Sequence, residues 1–130
     1  MSTWGDYILK LLERGYVTDA ALHDVKDGKR WATSPEFQVL PEEAVEIVNG
    51  FQDGGERLRQ NGLYIAHTKY SVTHSDSRVI VGQEDSTGTG CVLFKCQTCV
   101  IIATHSKTIA AAQCQSVVER VGEFLRNKGY

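Results

Sequence analysis

The stretch from Gly62 to Thr104 most constrains the fold. It contains short runs rich in Val, Ile, Tyr and Phe: Leu63–Ala66, Lys69–His74, Val79–Gly82, Cys91–Lys95 and Cys99–Thr104. Turn-forming segments separate them, among them Ser75-Asp76-Ser77, Ser86-Thr87-Gly88-Thr89-Gly90 and Gln97-Thr98. Runs this short read as strands, and connections this tight join antiparallel neighbours, since a parallel return needs a long crossover. The segment therefore predicts an antiparallel meander. A meander has apolar surface that another layer must cover.

The two ends of the chain supply covers. In residues 3–14, Trp4, Tyr7, Ile8, Leu11 and Leu12 recur at helical spacing and make one apolar face. Ser2 or Thr3 is placed to cap this helix, Asp6 lies in its first turn where the dipole favours a carboxylate, and Gly15 ends it. From about Thr108 to Asn127, Ala110, Cys114, Val117, Val118, Val121, Phe124 and Leu125 repeat at three and four, with Lys128-Gly129 as a stop. Between the first helix and the meander, Val17–Asp24 and Lys29–Thr33 read as a hairpin through Lys26-Asp27-Gly28. Pro41 opens a short helix whose dipole Glu42 and Glu43 complement and whose apolar face is Ala44, Val45, Ile47 and Val48. Residues 56–61 are polar and carry no clear preference. The plan is α+β, one domain over residues 1–130, with both terminal helices side by side on the same sheet face.

Charge and cysteine usage narrow the function. With 14 Lys+Arg against 16 Asp+Glu, the chain lacks the basic excess of bulk nucleic-acid binding. Cys99–Ala103 and Ile109–Ala112 are far too short to span a bilayer, for which about 18–20 residues are needed. The first residues have neither the basic nor the apolar region of a secretory signal, which predicts a cytosolic protein with its four cysteines reduced. Cys96-Gln97-Thr98-Cys99 has C-x-x-C spacing but leads into a strand-like run, whereas a redox pair opens a helix. A structural zinc site needs four ligands, and Cys91, Cys114 and His105 are unmatched singles. Small apolar residues around a tight turn is the competing reading. His23, His67, His74 and His105 lack metal-ligand spacing, and Ser86–Gly90 precedes a strand, so it reads as a hairpin turn and not a phosphate loop. No cofactor is predicted.

The aromatic residues are more informative. Trp4 and Tyr7 lie one helical turn apart, Trp31 sits on a strand, and Phe124 and Tyr130 lie near the other end of the chain. A sheet carrying both terminal helices brings these rings together. Aligned rings with Tyr O–H and Trp N–H donors suit a proline-rich ligand, because a polyproline II helix is stiff and leaves its carbonyls free.

At this point the chain resembles a known family, the profilins. The resemblance rests on Trp4-Gly5-Asp6-Tyr7 with Leu11-Leu12, on Trp31, on Asn61-Gly62-Leu63 and His67–Val72, and above all on Gln113–Leu125. This last block is very similar to the C-terminal helix of short profilins of plants and lower eukaryotes. The resemblance covers the whole chain. It implies a central antiparallel sheet with the terminal helices on one face and smaller helices on the other. It also implies a monomeric, non-enzymatic protein of the cytoplasm and cytoskeleton. Its partners would be monomeric actin, proline-rich segments of formin-type assembly factors, and phosphoinositides such as phosphatidylinositol 4,5-bisphosphate.

For the proline groove the resemblance implies Trp4, Tyr7, Trp31, Phe124, Leu125 and Tyr130, with Phe124 standing where the family has His or Tyr. For actin it implies Lys69, Val72, His74, Gln115, Ser116, Glu119 and Arg120. Of these, His74, Gln115, Ser116 and Glu119 have altered chemistry. Many profilins carry base around the hairpin that here reads Gly82-Gln83-Glu84-Asp85, so weak lipid binding is expected, with Arg57, Arg59, Lys69 and Arg78 as the remaining basic residues. Two further readings stay open: a proline-rich-peptide binder with weakened actin binding, and a C-x-x-C redox or metal protein.

Overall fold

The computed structural model describes residues 4–130; the cap expected from Ser2 or Thr3 lies outside them. In chain order the elements are α1 (Trp4–Leu12), β1 (Asp19–Asp24), β2 (Arg30–Thr33), α2 (Pro41–Gly50), a 3-10 turn (Phe51–Asp53), α3 (Glu56–Asn61), β3 (Leu63–Ile65), β4 (Thr68–Ser75), β5 (Val79–Gln83), β6 (Gly90–Lys95), β7 (Cys99–His105) and α4 (Ala111–Asn127). The strands make one seven-stranded sheet in the order β2-β1-β7-β6-β5-β4-β3. Every pairing is antiparallel. The expected meander runs unbroken from β3 to β7. The order that turn signals leave open is set by β1, which pairs with β7 from Asp19–Thr104 to Asp24–Cys99.

β7 lies inside the sheet between β1 and β6, and all of its residues are buried. Successive side chains of a strand point to opposite faces. Cys99, Ile101 and Ala103 therefore enter one core with Tyr7, Ile8 and Leu11 of α1 and Cys114, Val117, Val118 and Leu125 of α4. Val100 and Ile102 enter a second core with Ala44, Ile47 and Val48 of α2 and Leu58 of α3. The terminal helices thus cover one face, as their apolar periodicity predicts, and the small helices the other, as the resemblance implies. Val45 departs from expectation: it is 41% exposed, and α2 buries Ala44, Ile47 and Val48 instead.

Three local features fix the layers. Glu43 is buried. Its carboxylate accepts the N–H groups of Leu40 at 2.9 Å, Ala66 at 2.7 Å and His67 at 2.9 Å. It does more than complement a dipole, because it ties α2 to the β3–β4 turn, where Ala66 and His67 have positive φ. α3 forms where the sequence shows no preference because Asp53 Oδ1 accepts from Gly55 N and Glu56 N at 3.0 Å each, which satisfies donors that the first helical turn leaves open. On the opposite face, α4 crosses β6 at Gly122, where a Cβ would lie 2.3 Å from Phe94 Cδ1.

Candidate functional site

The expected rings do converge. α1 buries Tyr7, Ile8 and Leu11 and so leaves Trp4 half-buried at its exposed first turn. β2 brings Trp31 to it, with ring centroids 4.5 Å apart. Tyr130 meets the same Trp4 edge-on at 4.8 Å. Tyr7 lies 5.9 Å from Trp4 and 6.1 Å from Phe124. The result is a strip of rings running from Trp31 through Trp4 to Phe124, with Tyr130 on its flank. Phe124 is 50% and Tyr130 39% exposed, so both present aromatic surface to solvent beside the half-buried Trp4. Two of the expected lining residues are buried, Tyr7 at 7% exposure and Leu125. Tyr7 still reaches the floor of the cleft between α1 and α4, but Leu125 does not line it. Leu125 is fully buried, because the helical period turns it inward from Phe124, so it supports the platform from below.

The strip opens onto a cleft of about 320 Å3 between α1 and α4, floored by Tyr7, Val117, Val121 and Phe124. Lys10, Arg14 and Arg120 stand on its rim with Asp6 and Glu13. Lys128, expected only as part of the helix stop, holds its Nζ 5.2 Å from the centre of the Phe124 ring; an exposed cation–π contact of this kind contributes roughly 0.5–1 kcal/mol. The stop at Lys128-Gly129 is realised as a Schellman closure: Gly129 N–H donates to Arg126 O at 3.0 Å and Tyr130 N–H to Leu125 O at 2.9 Å.

The second set of expected residues is divided by the sheet. On β4, Ser71 pairs with Gln83 and Val72 with Gly82, but His74 pairs with Val81, so one extra residue, Thr73, is bulged out. Val81 belongs to the core under α1 and α4, and Tyr70 and Val72 pack with the core under α2 and α3. Lys69 and His74 therefore share the α1/α4 face only because of the bulge; five residues apart in a regular strand, they would point oppositely. Val72 lies on the other face and is half-buried. On α4, Gln115 donates Nε2–H to Glu119 Oε1 at 2.8 Å across one helical turn, and Ser116 is exposed beside them. Arg120 looks instead toward α1. Two residues outside the expected set join this region: Arg78, in the β4–β5 turn, and Glu123 of α4, whose side chains meet at 3.5 Å with both about half exposed. Nothing in either residue's sequence context signals this pairing across the fold.

The expected acidic hairpin is folded onto itself. Glu84 accepts from Thr87 Oγ1 at 2.6 Å and Ser86 Oγ at 2.7 Å, and from both backbone N–H groups. These donors, with the Thr87 hydroxyl foremost, hold its carboxyl down at about 2. Among the basic residues, Arg57 lies 3.9 Å from Glu46, Arg59 donates to Ser75 Oγ at 2.7 Å, and Lys69 faces the Tyr64 ring at 6.0 Å.

All four cysteines are free and buried. The Cys96 thiol is pushed up, first by its hydrogen bond with Cys99 and then by burial. Burial pushes Cys114 up to about 12 and also raises Cys91. Thiols held protonated are poor nucleophiles and poor metal ligands. Among the described residues, no three His, Cys, Asp or Glu side chains gather as a metal site, and no helix is long and apolar enough to cross a membrane.

Fold and site together define a small α+β binding module with an aromatic strip where its terminal helices meet. The profilin family model matches residues 2–130, and the chain belongs to the profilin family, a family of actin-binding proteins. It is 36% identical to profilin of Saccharomyces cerevisiae over 123 residues, 95% of each chain. It is 30% identical to profilin-2 of Acanthamoeba castellanii over 129 residues, 98% of this chain and 99% of that one. The crystal structure of Acanthamoeba castellanii profilin II superposes with a TM-score of 0.93 at 29% identity, covering 98% of this chain and all of that one. Mouse profilin IIa, solved in complex with a double repeat from the FH1 domain of mDia1, shares the fold at a TM-score of 0.80 and 19% identity, covering 99% of this chain and all of that one.

Proposed function

We propose that the protein binds monomeric actin and, through the strip of Trp4, Tyr7, Trp31, Phe124 and Tyr130, proline-rich segments of actin-assembly factors. It would act in the cytoplasm and at the cytoskeleton, without catalysis of its own. The observation that carries the proline reading is the packing of Trp4 against both Trp31 and Tyr130, with Trp4 and Trp31 half-buried and Tyr130 exposed. Such rings grip a polyproline II helix by stacking, and the ligand loses little entropy because it is already stiff. Trp4→Ala or Tyr130→Ala should weaken poly-L-proline binding about tenfold or more, the usual cost of truncating an aromatic anchor. Circular dichroism should remain that of the parent. Fluorescence titration reads the affinity, with Trp31 reporting in the Trp4 variant. Parent-like affinity in both variants rejects the assignment.

Actin binding is assigned to the face that carries Lys69, His74, Gln115, Ser116 and Glu119. The position of Val72, on the opposite face of the sheet from that group, favours a second reading in which proline binding persists and actin binding is weakened. A pyrene-actin assembly assay beside a poly-L-proline column separates the two. Retention on the column with no effect on actin assembly selects the second. Vesicles carrying phosphatidylinositol 4,5-bisphosphate should bind weakly, because carboxylates or local contacts engage Arg57, Arg59 and Arg78 and because Glu84 stays ionised. Tight, salt-sensitive vesicle binding contradicts this.

A further inference from the structure

The C-x-x-C turn between β6 and β7 has no part in either binding face, yet each of its four residues reaches a main-chain oxygen of α4 or of the segment just after it. Cys96 Sγ lies 3.7 Å from Gly122 O. Gln97 Nε2 donates to Arg126 O at 2.9 Å. Thr98 donates twice to Tyr130 O, from its backbone N–H and, at 2.9 Å, from its hydroxyl. Cys99 Sγ lies 3.9 Å from the same oxygen.

We infer that this turn is a clamp that aims the proline platform, with Gln97 and Thr98 as positioning residues for the Tyr130 and Phe124 rings. The inference rests on the proline reading of that platform. The Schellman closure fixes the backbone only up to the Tyr130 N–H. Beyond it, Tyr130 has left the helix through a left-handed Gly129 with φ of 92°, and the ends of helices fray unless their groups are tied down. Thr98 supplies that tie on the carbonyl side. Held at its N–H by α4 and at its oxygen by the β6–β7 turn, Tyr130 is constrained from both sides, which sets its ring edge-on to Trp4. Gln97 acts one turn earlier, on the carbonyl of Arg126, and steadies the helical turn that carries Phe124. The cysteines bring the turn close enough for these bonds by burying small side chains beneath α4.

The test compares Thr98→Val, Thr98→Ser, the double variant Gln97→Ala/Thr98→Val, and Trp4→Ala as reference, each titrated with poly-L-proline and assayed for actin-monomer binding. Thr98→Val keeps the shape and the backbone bond but removes the hydroxyl donor, so affinity should fall about threefold; the double variant should fall about tenfold, in line with the loss of modest single hydrogen bonds. Thr98→Ser should bind within about twofold of the parent, and actin binding should be unchanged throughout. The inference is overturned if the double variant binds poly-L-proline like the parent while Trp4→Ala does not, if Thr98→Ser loses as much as Thr98→Val, or if actin binding falls in step. If Trp4→Ala itself binds like the parent, the proline reading of the platform fails, a different outcome.

Discussion

Two residues give the protein separate responses to acid. His23 is 2% exposed and its Nδ1 lies 2.8 Å from Gly28 O, so that nitrogen carries the proton of the neutral ring. Its Nε2 is buried and has no hydrogen-bond partner among the described residues. Burial is the main cause that lowers its pKa from 6.5, with the Gly28 bond opposing and Arg30 adding to it. A depressed folded pKa means that neutral His23 supports the fold fully above pH 6.5 and that this support is lost as pH falls toward the folded value. Glu84 follows the same sign in a lower window. Its folded pKa of about 2 lies below the ordinary 4.5, so its contribution is present above 4.5 and lost as pH falls toward 2. Urea midpoints measured against pH should therefore show a decline beginning near 6.5 that His23→Leu removes. A second decline below 4.5 should be shallower in Glu84→Gln. The Glu84 effect is the smaller, since its carboxylate faces solvent. Curves parallel to the parent in either variant would show that the residue does not carry its window.

At the scale of the element, α4 decides most. It docks on β6 at Gly122, where the Cβ of an alanine would meet two ring carbons of Phe94 at 2.3 and 2.4 Å. Phe94 is 1% exposed and cannot swing aside. Alanine favours a helix over glycine by about 1 kcal/mol, whereas overpacking a filled core costs about 1–3 kcal/mol. Gly122→Ala should therefore lower the thermal midpoint; a variant as stable as the parent would mean that the helix can lift off β6 without loss.

The same elements show what a sequence discloses. The periodic apolar residues of α1 and α4 and the turn signals of the meander are local patterns, and the structure follows them to within a few residues. α3 escapes because six residues with one buried leucine make no periodic pattern, and its capping carboxylate, Asp53, arrives through a 3-10 turn. The face on which His74 emerges depends on a bulge at Thr73 that no residue type announces. Trp4, Tyr7 and Trp31 are legible as a group once both terminal helices share a sheet face, but the burial of Leu125 under Phe124 and the capture of Tyr130 by Thr98 depend on how α4 lies across β6 and β7. That is a tertiary fact with no counterpart in local spacing.

In the whole molecule, α4 serves both proposed faces. Gln115 and Glu119 occupy its first half, and Phe124 and the closure that positions Tyr130 its end. At 1.5 Å rise per residue, Gln115 and Phe124 stand about 14 Å apart along the axis, and they point to different sides. The helix is continuous over 17 residues and pinned through Cys114, Val118 and Leu125, all fully buried. A pinned rigid element offers no second arrangement for one ligand to favour, and without differential affinity for two states no coupling arises. Saturating poly-L-proline should therefore change actin affinity by less than about twofold, and by linkage actin should change poly-L-proline affinity by the same factor. A ternary complex should then form on gel filtration, with the tethered proline segment raising the local concentration of the actin it delivers. A tenfold change in either affinity would mean that the two faces overlap or that α4 shifts between two seats on the sheet. The Gly122–Phe94 contact would then be the place to look, because a helix that moves must first leave that close approach.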